Sequence, residues 1–138
     1  MQTFLPYPDF TESARCLDSR RLGKQRVECK QIYLALTGES RGWVNHPATK
    51  MWRGHEQELL QYAYAMCVEW RRRGYKDTLL SWFDARMHES NPVYPWWLGD
   101  LAFHNSHKSN LLRKAPFYYT QFNWNVPDNL DYVWPRGD

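Results

Sequence analysis

Proline and glycine divide this 138-residue chain into a few segments, and none of the segments alternates apolar and polar residues over the length of a strand. Pro6 and Pro8 lie close to the N-terminus, and proline disfavours helical backbone in the residue before it. Residues 1–9 are therefore predicted to form an extended arm that leads into the first helix. The remaining long segments carry a helical spacing of apolar residues, which predicts an all-α protein.

Four helices are predicted. The first is capped by Thr11 or Ser13, runs to Leu36 and ends before Gly38, because glycine readily adopts the left-handed conformation that stops a helix. The other three cover residues 50–73, with Gly74 as the stop, residues 77 or 78 to about 88, and roughly 101–114. Residues 38–47 are predicted to be a loop, and Pro116 opens an aromatic C-terminal segment.

The chain shows no internal repeat and no change of composition along its length. A chain of this size can bury one hydrophobic core, and aromatic residues, 17% of the total, supply much of the apolar area. We therefore expect a compact single-domain helical bundle with an extended N-terminal arm and an irregular aromatic C-terminal segment.

The overall charge favours a polyanionic partner only mildly, since 18 Lys and Arg against 15 Asp and Glu give a net charge of +3. The N-terminus lacks a basic region followed by a long apolar run, and no later stretch has eighteen consecutive apolar residues. A soluble cytoplasmic protein without a membrane partner is expected.

Three cysteines, Cys16, Cys29 and Cys67, fall inside helical patterns. Their odd number and their positions are typical of reduced, buried thiols, and fit neither a disulfide framework nor a zinc site.

One face of the first predicted helix concentrates polar and charged residues beside the apolar stripe: Arg21, Lys24, Gln25 and Glu28. A carboxyl group in this position lies at the edge of a groove, where cations favour its ionised form and burial favours its neutral form. This balance suits general acid/base catalysis. Periodicity alone favours the alternative, a surface ladder of salt bridges between residues four positions apart.

The order of residues 13–28, Ser-Ala-Arg-Cys-Leu-Asp-Ser-Arg-Arg-Leu-Gly-Lys-Gln-Arg-Val-Glu, resembles the first helix of the pyrimidine-dimer DNA glycosylases, the family of phage endonuclease V. Leu17, Leu22 and Glu28 match two leucines and the catalytic glutamate of that family without a gap. Residues 71–78, Arg-Arg-Arg-Gly-Tyr-Lys-Asp-Thr, are similar to its basic turn. The resemblance extends over most of the chain and is weakest after Asn91.

The resemblance implies a DNA-repair enzyme with two activities. In this family the N-terminal amine attacks the sugar C1′ of the damaged nucleotide, expels the base and forms a Schiff base. The catalytic glutamate, Glu28 here, then assists ring opening and β-elimination of the strand. An α-amine has a reference pKa near 8, so a useful fraction is nucleophilic at neutral pH. No metal or other cofactor is implied. The expected partner is double-stranded DNA that contains damaged or modified pyrimidines, bound by a monomer associated with the nucleoid.

The N-terminus departs from the prototype, in which a small second residue permits removal of the initiator Met. Gln2 is bulky and should leave Met1 in place. Counted back from Leu5, the residue that bears the amine in the family aligns with Met1. Met1 is therefore the predicted nucleophile, and its removal would expose a glutamine that can cyclise and lose the amine.

A second departure concerns the arginines that flank the glutamate in the prototype, because Val27 and Gln31 occupy those positions here. The resemblance therefore supports the catalytic role of Glu28 better than it supports the identity of the lesion. Two alternatives stay open: a glycosylase for another modified pyrimidine, and a DNA-binding helical module without catalytic activity.

Candidate DNA-binding residues come from the N-terminal arm, the first predicted helix and two later basic stretches. Arg71, Arg72 and Arg73 form the densest positive patch, although they also suit the C-terminal end of a helix. Residues 104–114 mix basic and small polar side chains, which favours phosphate contact but also fits a solvated helix, and a zinc site is weakly suggested by two histidines three apart. The predicted DNA contacts are Gln2, Arg20, Arg21, Lys24, Gln25, Arg71, Arg72, Arg73, His104, His107, Lys108 and Arg113.

The loop after the first helix and the start of the second contain polar and aromatic residues suited to a groove wall. Within them, His46 and His55 are predicted to assist Glu28. The alternatives are a loop cap and a hydrogen-bonded surface histidine.

Overall fold

The computed structural model describes residues 1–89 and 91–135, and it confirms the all-α prediction because this part of the chain contains helices and no strand. A non-helical arm precedes the first helix, as predicted, and it bends at residues 6–9. The helices are α1 (Phe10–Cys16), α2 (Ser19–Leu36), α3 (Pro47–Lys50), α4 (Glu56–Arg72), α5 (Leu80–Asp84), α6 (Leu101–Lys114) and α7 (Pro116–Tyr119), followed by a 3₁₀-helix at Thr120–Phe122.

The prediction of one helix from Thr11 or Ser13 to Leu36 is wrong, because the chain breaks between α1 and α2. Leu17 and Asp18 are extended, and the Asp18 carboxylate accepts a hydrogen bond from the Arg21 N–H at 3.3 Å. An aspartate that caps a new helix starts it instead of continuing the previous one. Asp9 caps α1 in the same way.

The second predicted helix, residues 50–73, begins later than expected, because α4 starts only at Glu56 and residues 51–55 separate it from the short helix α3. Gly54 adopts a φ of 84° in this break. The left-handed stop at Gly74 is confirmed, with a φ of 94°. The third predicted helix is shorter than expected at both ends, since α5 covers only Leu80–Asp84. The Asp77 carboxylate accepts hydrogen bonds from the Leu79 and Leu80 N–H groups just before this helix.

The core forms where α2 packs against α4, with α1 and α5 also against α4. Its largest buried side chains include Trp52, Tyr62, Trp97 and Phe103. The three cysteines are buried and free, as predicted, and burial raises the pKa of the Cys16 and Cys67 thiols to about 12. No helix in the described ranges is both long enough and apolar enough to cross a membrane.

The C-terminal segment runs back along α6 and is attached to it by hydrogen bonds. The Ser109 hydroxyl accepts from the Leu130 N–H at 2.9 Å, and the Ser106 hydroxyl accepts from the Val133 N–H at 3.1 Å. This attachment brings the aromatic residues Tyr132 and Trp134 towards the N-terminal arm.

Candidate active site

The N-terminal arm is buried, and side chains from three helices hold its backbone. Gln25 of α2 accepts a hydrogen bond from the Phe4 N–H at 2.9 Å, and the Tyr62 hydroxyl of α4 lies 2.7 Å from the Phe4 carbonyl oxygen. The Leu5 N–H and carbonyl bond to two histidines of α6. A chain terminus is usually mobile, but these contacts give this one a defined position.

The two histidines are His104 and His107, and the structure corrects their predicted DNA contact. His107 Nδ1 accepts from the Leu5 N–H at 2.8 Å, and its side chain is 0% exposed. His104 Nε2 accepts from the Gly99 N–H at 2.8 Å, so its proton resides on Nδ1, which lies 2.7 Å from the Leu5 carbonyl oxygen. Neither ring reaches the surface, and both position the arm. Three of their four ring nitrogens are engaged in these bonds, which also removes the basis for a zinc site.

Glu28 lies directly beside the N-terminus. Its Oε2 accepts hydrogen bonds from the Gln2 N–H at 3.3 Å and from the Gln25 carboxamide at 3.4 Å, and its Oε1 lies 3.8 Å from Lys24 Nζ. The residue is only 8% exposed. The Met1 amine is one residue away from the N–H group that contacts this carboxylate, so the two predicted catalytic groups share one site.

A cavity of about 510 Å³ opens over Met1 and Glu28. Its lining combines the N-terminal arm, one face of α2 and the C-terminal part of the chain. The lining residues are Met1, Gln2, Phe4, Arg20, Arg21, Lys24, Gln25, Glu28, Lys114 and Tyr132. Four of them are cationic and one is acidic, a charge distribution that suits a polyanion.

Sequence reasoning had not assigned Lys114 and Tyr132 to the site. Lys114 Nζ lies 2.9 Å from the Tyr132 hydroxyl and 5.3 Å from the centre of the Phe4 ring. Burial and nearby cations, Arg21 first among them, lower the pKa of Lys114, whereas Glu28 raises it. Burial raises the pKa of Tyr132 to about 12. Lys114 ends the basic stretch noted in the sequence, but no local pattern connects Tyr132 with Glu28.

The cluster Arg71–Arg73 does not line this cavity. Arg73 donates to Glu69 at 2.8 Å and to the carbonyl oxygens of Ala14 and Arg15 at 3.3 and 3.1 Å, so it ties the end of α4 to the end of α1. These internal contacts replace its predicted DNA contact. Arg72 pairs with Glu69 and Arg71 with Asp77, but their side chains are largely exposed, and phosphate contact by both stays a prediction.

His46 lies near the site, whereas His55 does not. His46 caps α3, with its Nδ1 accepting from the Ala48 N–H at 3.0 Å, and burial lowers its pKa. The nearby Met1 amine lowers the pKa of His46 further, and Glu28 raises it. The Nδ1 atom of His55 lies 3.1 Å from the Val93 carbonyl oxygen and 3.6 Å from Glu58, away from both catalytic candidates.

Two further predicted DNA contacts, Lys108 and Arg113, lie outside the cavity lining. Lys108 Nζ is 5.0 Å from the centre of the Tyr7 ring. Arg113 donates to the carbonyl oxygen of Asp128 at 3.0 Å and so helps to hold the C-terminal segment. Their contact with DNA stays a prediction.

Comparison with known protein families finds a match. The family model described as pyrimidine dimer DNA glycosylase matches residues 1–82, a range that includes Met1, Gln25 and Glu28 but neither Lys114 nor Tyr132. No curated protein and no solved structure matches the chain.

Proposed function

The chain belongs to the pyrimidine dimer DNA glycosylase family, and from this premise we propose that it also cleaves the DNA strand through a Schiff base on its own N-terminus. As a member of this family it is a DNA repair glycosylase whose substrate is DNA containing pyrimidine dimers. In the proposed mechanism Met1 supplies the nucleophile and Glu28 the acid/base group. The contact of 3.3 Å between the Gln2 N–H and Glu28 is the observation that carries this assignment.

The proposed reaction begins with attack of the unprotonated Met1 amine on C1′. A C–N bond forms, the glycosidic bond breaks, and the base leaves with the bonding electron pair and takes up a proton. Opening of the sugar ring then gives an iminium between C1′ and the Met1 nitrogen. In this step Glu28 takes the proton that the Met1 nitrogen loses after the attack and passes it to the ring oxygen, which leaves Glu28 ionised.

Strand cleavage follows from the iminium, which acidifies the C2′ proton. Ionised Glu28 accepts that proton, the C3′–O bond breaks, and the 3′ phosphate leaves with its electron pair. Arg20, Arg21, Lys24 and Lys114 surround the cavity and would bind the phosphates on either side of the damaged nucleotide.

Retention of Met1 is a requirement of this proposal. The buried arm supports it, because Gln2 is 5% exposed and its carboxamide oxygen accepts from the Thr3 N–H at 2.9 Å. Removal of Met1 would instead make Gln2 the first residue, and an N-terminal glutamine can cyclise and lose its amine. Intact-mass measurement of an active preparation should find Met1 present with an unmodified amine, and a blocked N-terminus would contradict the assignment.

The mechanism predicts a covalent complex with DNA when the iminium is reduced. Borohydride added to the protein with a duplex that carries a pyrimidine dimer or an abasic site should trap the Met1 nitrogen on the sugar, and peptide mass mapping should locate the adduct. Glu28→Gln keeps the size of the side chain but removes the acid/base group, and should lower strand cleavage by about 10²–10⁴-fold while the protein still binds the duplex.

Glu39→Gln is the matched control, because Glu39 is an exposed glutamate just beyond the end of α2. This variant should cleave at the wild-type rate. Cleavage by Glu28→Gln at the wild-type rate would remove Glu28 from the mechanism. Salt-sensitive binding without trapping on either duplex would instead indicate a DNA-binding module.

A further inference from the structure

The proposed reaction needs a proton donor for the leaving base, and Glu28 does not supply this proton. Glu28 takes up the proton that the Met1 nitrogen loses after its attack, so the carboxylate is ionised while the glycosidic bond breaks. A pyrimidine departs with difficulty as an anion, and a positioned acid speeds its departure. The cavity should therefore hold a second group with a transferable proton.

The cations of the cavity lining differ in how readily they release a proton. Arg20 and Arg21 are excluded, because a guanidinium stays charged in proteins. The Lys24 side chain is 73% exposed, and its Nζ pairs with Glu28 at 3.8 Å. Burial and nearby cations lower the pKa of Lys114, which makes its proton easier to transfer. Lys114 is thus the cation of the lining that best suits a proton donor.

Lys114 is bonded to a second residue of the lining, Tyr132. An ammonium group only donates hydrogen bonds, so the Tyr132 oxygen accepts from Lys114 Nζ in their contact of 2.9 Å. Within the described part of the chain, Lys114 is the one hydrogen-bond partner of this hydroxyl. The hydroxyl hydrogen of Tyr132 is therefore available to a substrate atom in the cavity, and the bond from the ammonium group strengthens it as a donor.

The position of Tyr132 is fixed by α6. The N–H of Val133, the next residue in the chain, donates to the Ser106 hydroxyl at 3.1 Å. The Tyr132 ring lies edge-on to the buried ring of His107, with 5.6 Å between the ring centres. A donor held in this way does not have to be reoriented when charge develops on the base.

We propose that Tyr132, with Lys114 behind it, protonates the pyrimidine as the base leaves C1′. The acceptor is the carbonyl oxygen O2, which is bonded to the ring carbon beside the glycosidic nitrogen. As the bond between C1′ and this nitrogen breaks, its electron pair passes to the base, and O2 takes the Tyr132 proton. Lys114 returns a proton to the Tyr132 oxygen and regains one from solvent. The proposal rests on the proposed function, because attack by Met1 places C1′ in the cavity that Tyr132 also lines.

The test separates release of the base from cleavage of the strand. Single-turnover rates are measured with saturating protein on a duplex that contains a pyrimidine dimer and on one with a preformed abasic site. Hot alkali breaks the strand at every abasic site, so it counts base release whether or not the protein cleaves. Tyr132→Phe keeps the ring and removes the donor, so base release should fall by about 10²-fold. Cleavage of the abasic duplex should keep its wild-type rate, because no base leaves.

Two further variants complete the test. Lys114→Met removes the ammonium group and should lower base release more than abasic cleavage, so the ratio of the two rates is the measure. Loss of a phosphate contact in this variant affects both rates and cancels in the ratio. Tyr94→Phe is the matched control, because Tyr94 is 52% exposed and lies outside the cavity lining. It should alter neither rate.

The pH dependence distinguishes a proton donor from a residue that only shapes the cavity. The groups that face Lys114 are Arg21, Lys24 and Glu28 of α2, Arg113 of α6 and Tyr132, and the Met1 amine lines the same cavity. Burial and the cations lower the pKa of Lys114 from 10.5, against the effect of Glu28. Wild-type base release should therefore fall towards pH 10, as the pair loses the proton that it donates. Tyr132→Phe should lack this alkaline fall, and persistence of the fall would contradict the proposal.

The rates distinguish failure of this proposal from failure of the proposed function. Equal losses on both duplexes in Tyr132→Phe would assign the pair to phosphate binding and overturn the proposal, as would base release at the wild-type rate. Without a Schiff base, borohydride would trap no protein on DNA and the abasic duplex would stay intact. Base release from the dimer duplex, and its dependence on Tyr132, would still be measured by alkali.

Discussion

Gln25 links the N-terminal arm to Glu28 through a single carboxamide. Its oxygen accepts from the Phe4 N–H and lies 2.7 Å from the Tyr62 hydroxyl, so its nitrogen faces Glu28. The residue is 1% exposed. Gln25 was predicted to contact DNA, and its observed contacts indicate instead a positioning role that fixes the arm relative to the carboxylate.

His107 should make the stability of the protein depend on pH. Burial lowers its pKa from 6.5 to about 3, so between these values the unfolded chain binds a proton that the folded protein does not. The free energy of unfolding therefore falls as the pH falls through this window, by up to about 1.4 kcal/mol per pH unit. Denaturant titrations from pH 7 to pH 4 should show this slope.

His107→Asn keeps an acceptor for the Leu5 N–H and removes the titrating group. We expect lower stability at pH 7 but a flatter dependence on pH, with a remaining slope from His104, whose pKa is also lowered by burial. His88→Asn, at an exposed position, should keep the wild-type slope. An unchanged slope in His107→Asn would show that acid destabilisation has another origin.

At the scale of the elements, the site depends on how α2 packs against α4, and Gly23 permits their close approach. A Cβ atom at this position would lie 2.8 Å from two ring atoms of Trp70. The indole cannot easily move, since it donates to the Lys76 carbonyl oxygen at 3.0 Å and stacks on Tyr75 at 4.2 Å.

Gly23→Ala should destabilise the protein although alanine favours helix. The gain in helix propensity is about 1 kcal/mol, whereas overpacking costs about 1–3 kcal/mol, so the free energy of unfolding should decrease. In a Trp70→Phe background the smaller ring leaves room for the new methyl group, and the same substitution should become neutral or stabilising. A double-mutant cycle in denaturant measures this coupling, and additive effects would contradict the steric explanation.

The sequence predicted where helices stop at glycines better than it predicted breaks within a long helical pattern. The stops at Gly38 and Gly74 and the bounds of α6 follow from local backbone preferences, which the residues themselves determine. The break before α2 was missed, because Asp18 fits a helical pattern as well as a cap. Only the observed hydrogen bond to the Arg21 N–H distinguishes the two roles.

At the scale of the whole molecule, the arm should be as stable as the core although it begins the chain. The Phe4 and Leu5 N–H groups are buried and bond to side chains of α2 and α6. Their exchange should therefore require global unfolding, and hydrogen-exchange NMR should give both amides the global free energy of unfolding. The Gly42 amide, which bonds to Ser40 in an exposed loop, should exchange much faster. Fast exchange at Phe4 would show that the arm detaches independently of the core.

The sequence by itself determined the all-α class, the non-helical arm, the buried thiols and the placement of Glu28 on a cationic helix face. Each of these follows from composition or from spacing within one segment.

Only the tertiary structure decided the contacts between distant segments. It shows that His104 and His107 hold the arm and that Lys114 and Tyr132 line the cavity. It also shows that Trp43 and Trp134 lie on either side of His46. Helical periodicity indicates which face of a helix a residue occupies. It carries no information about which residue, about a hundred positions away along the chain, packs against that face, because such contacts form only when the helices assemble.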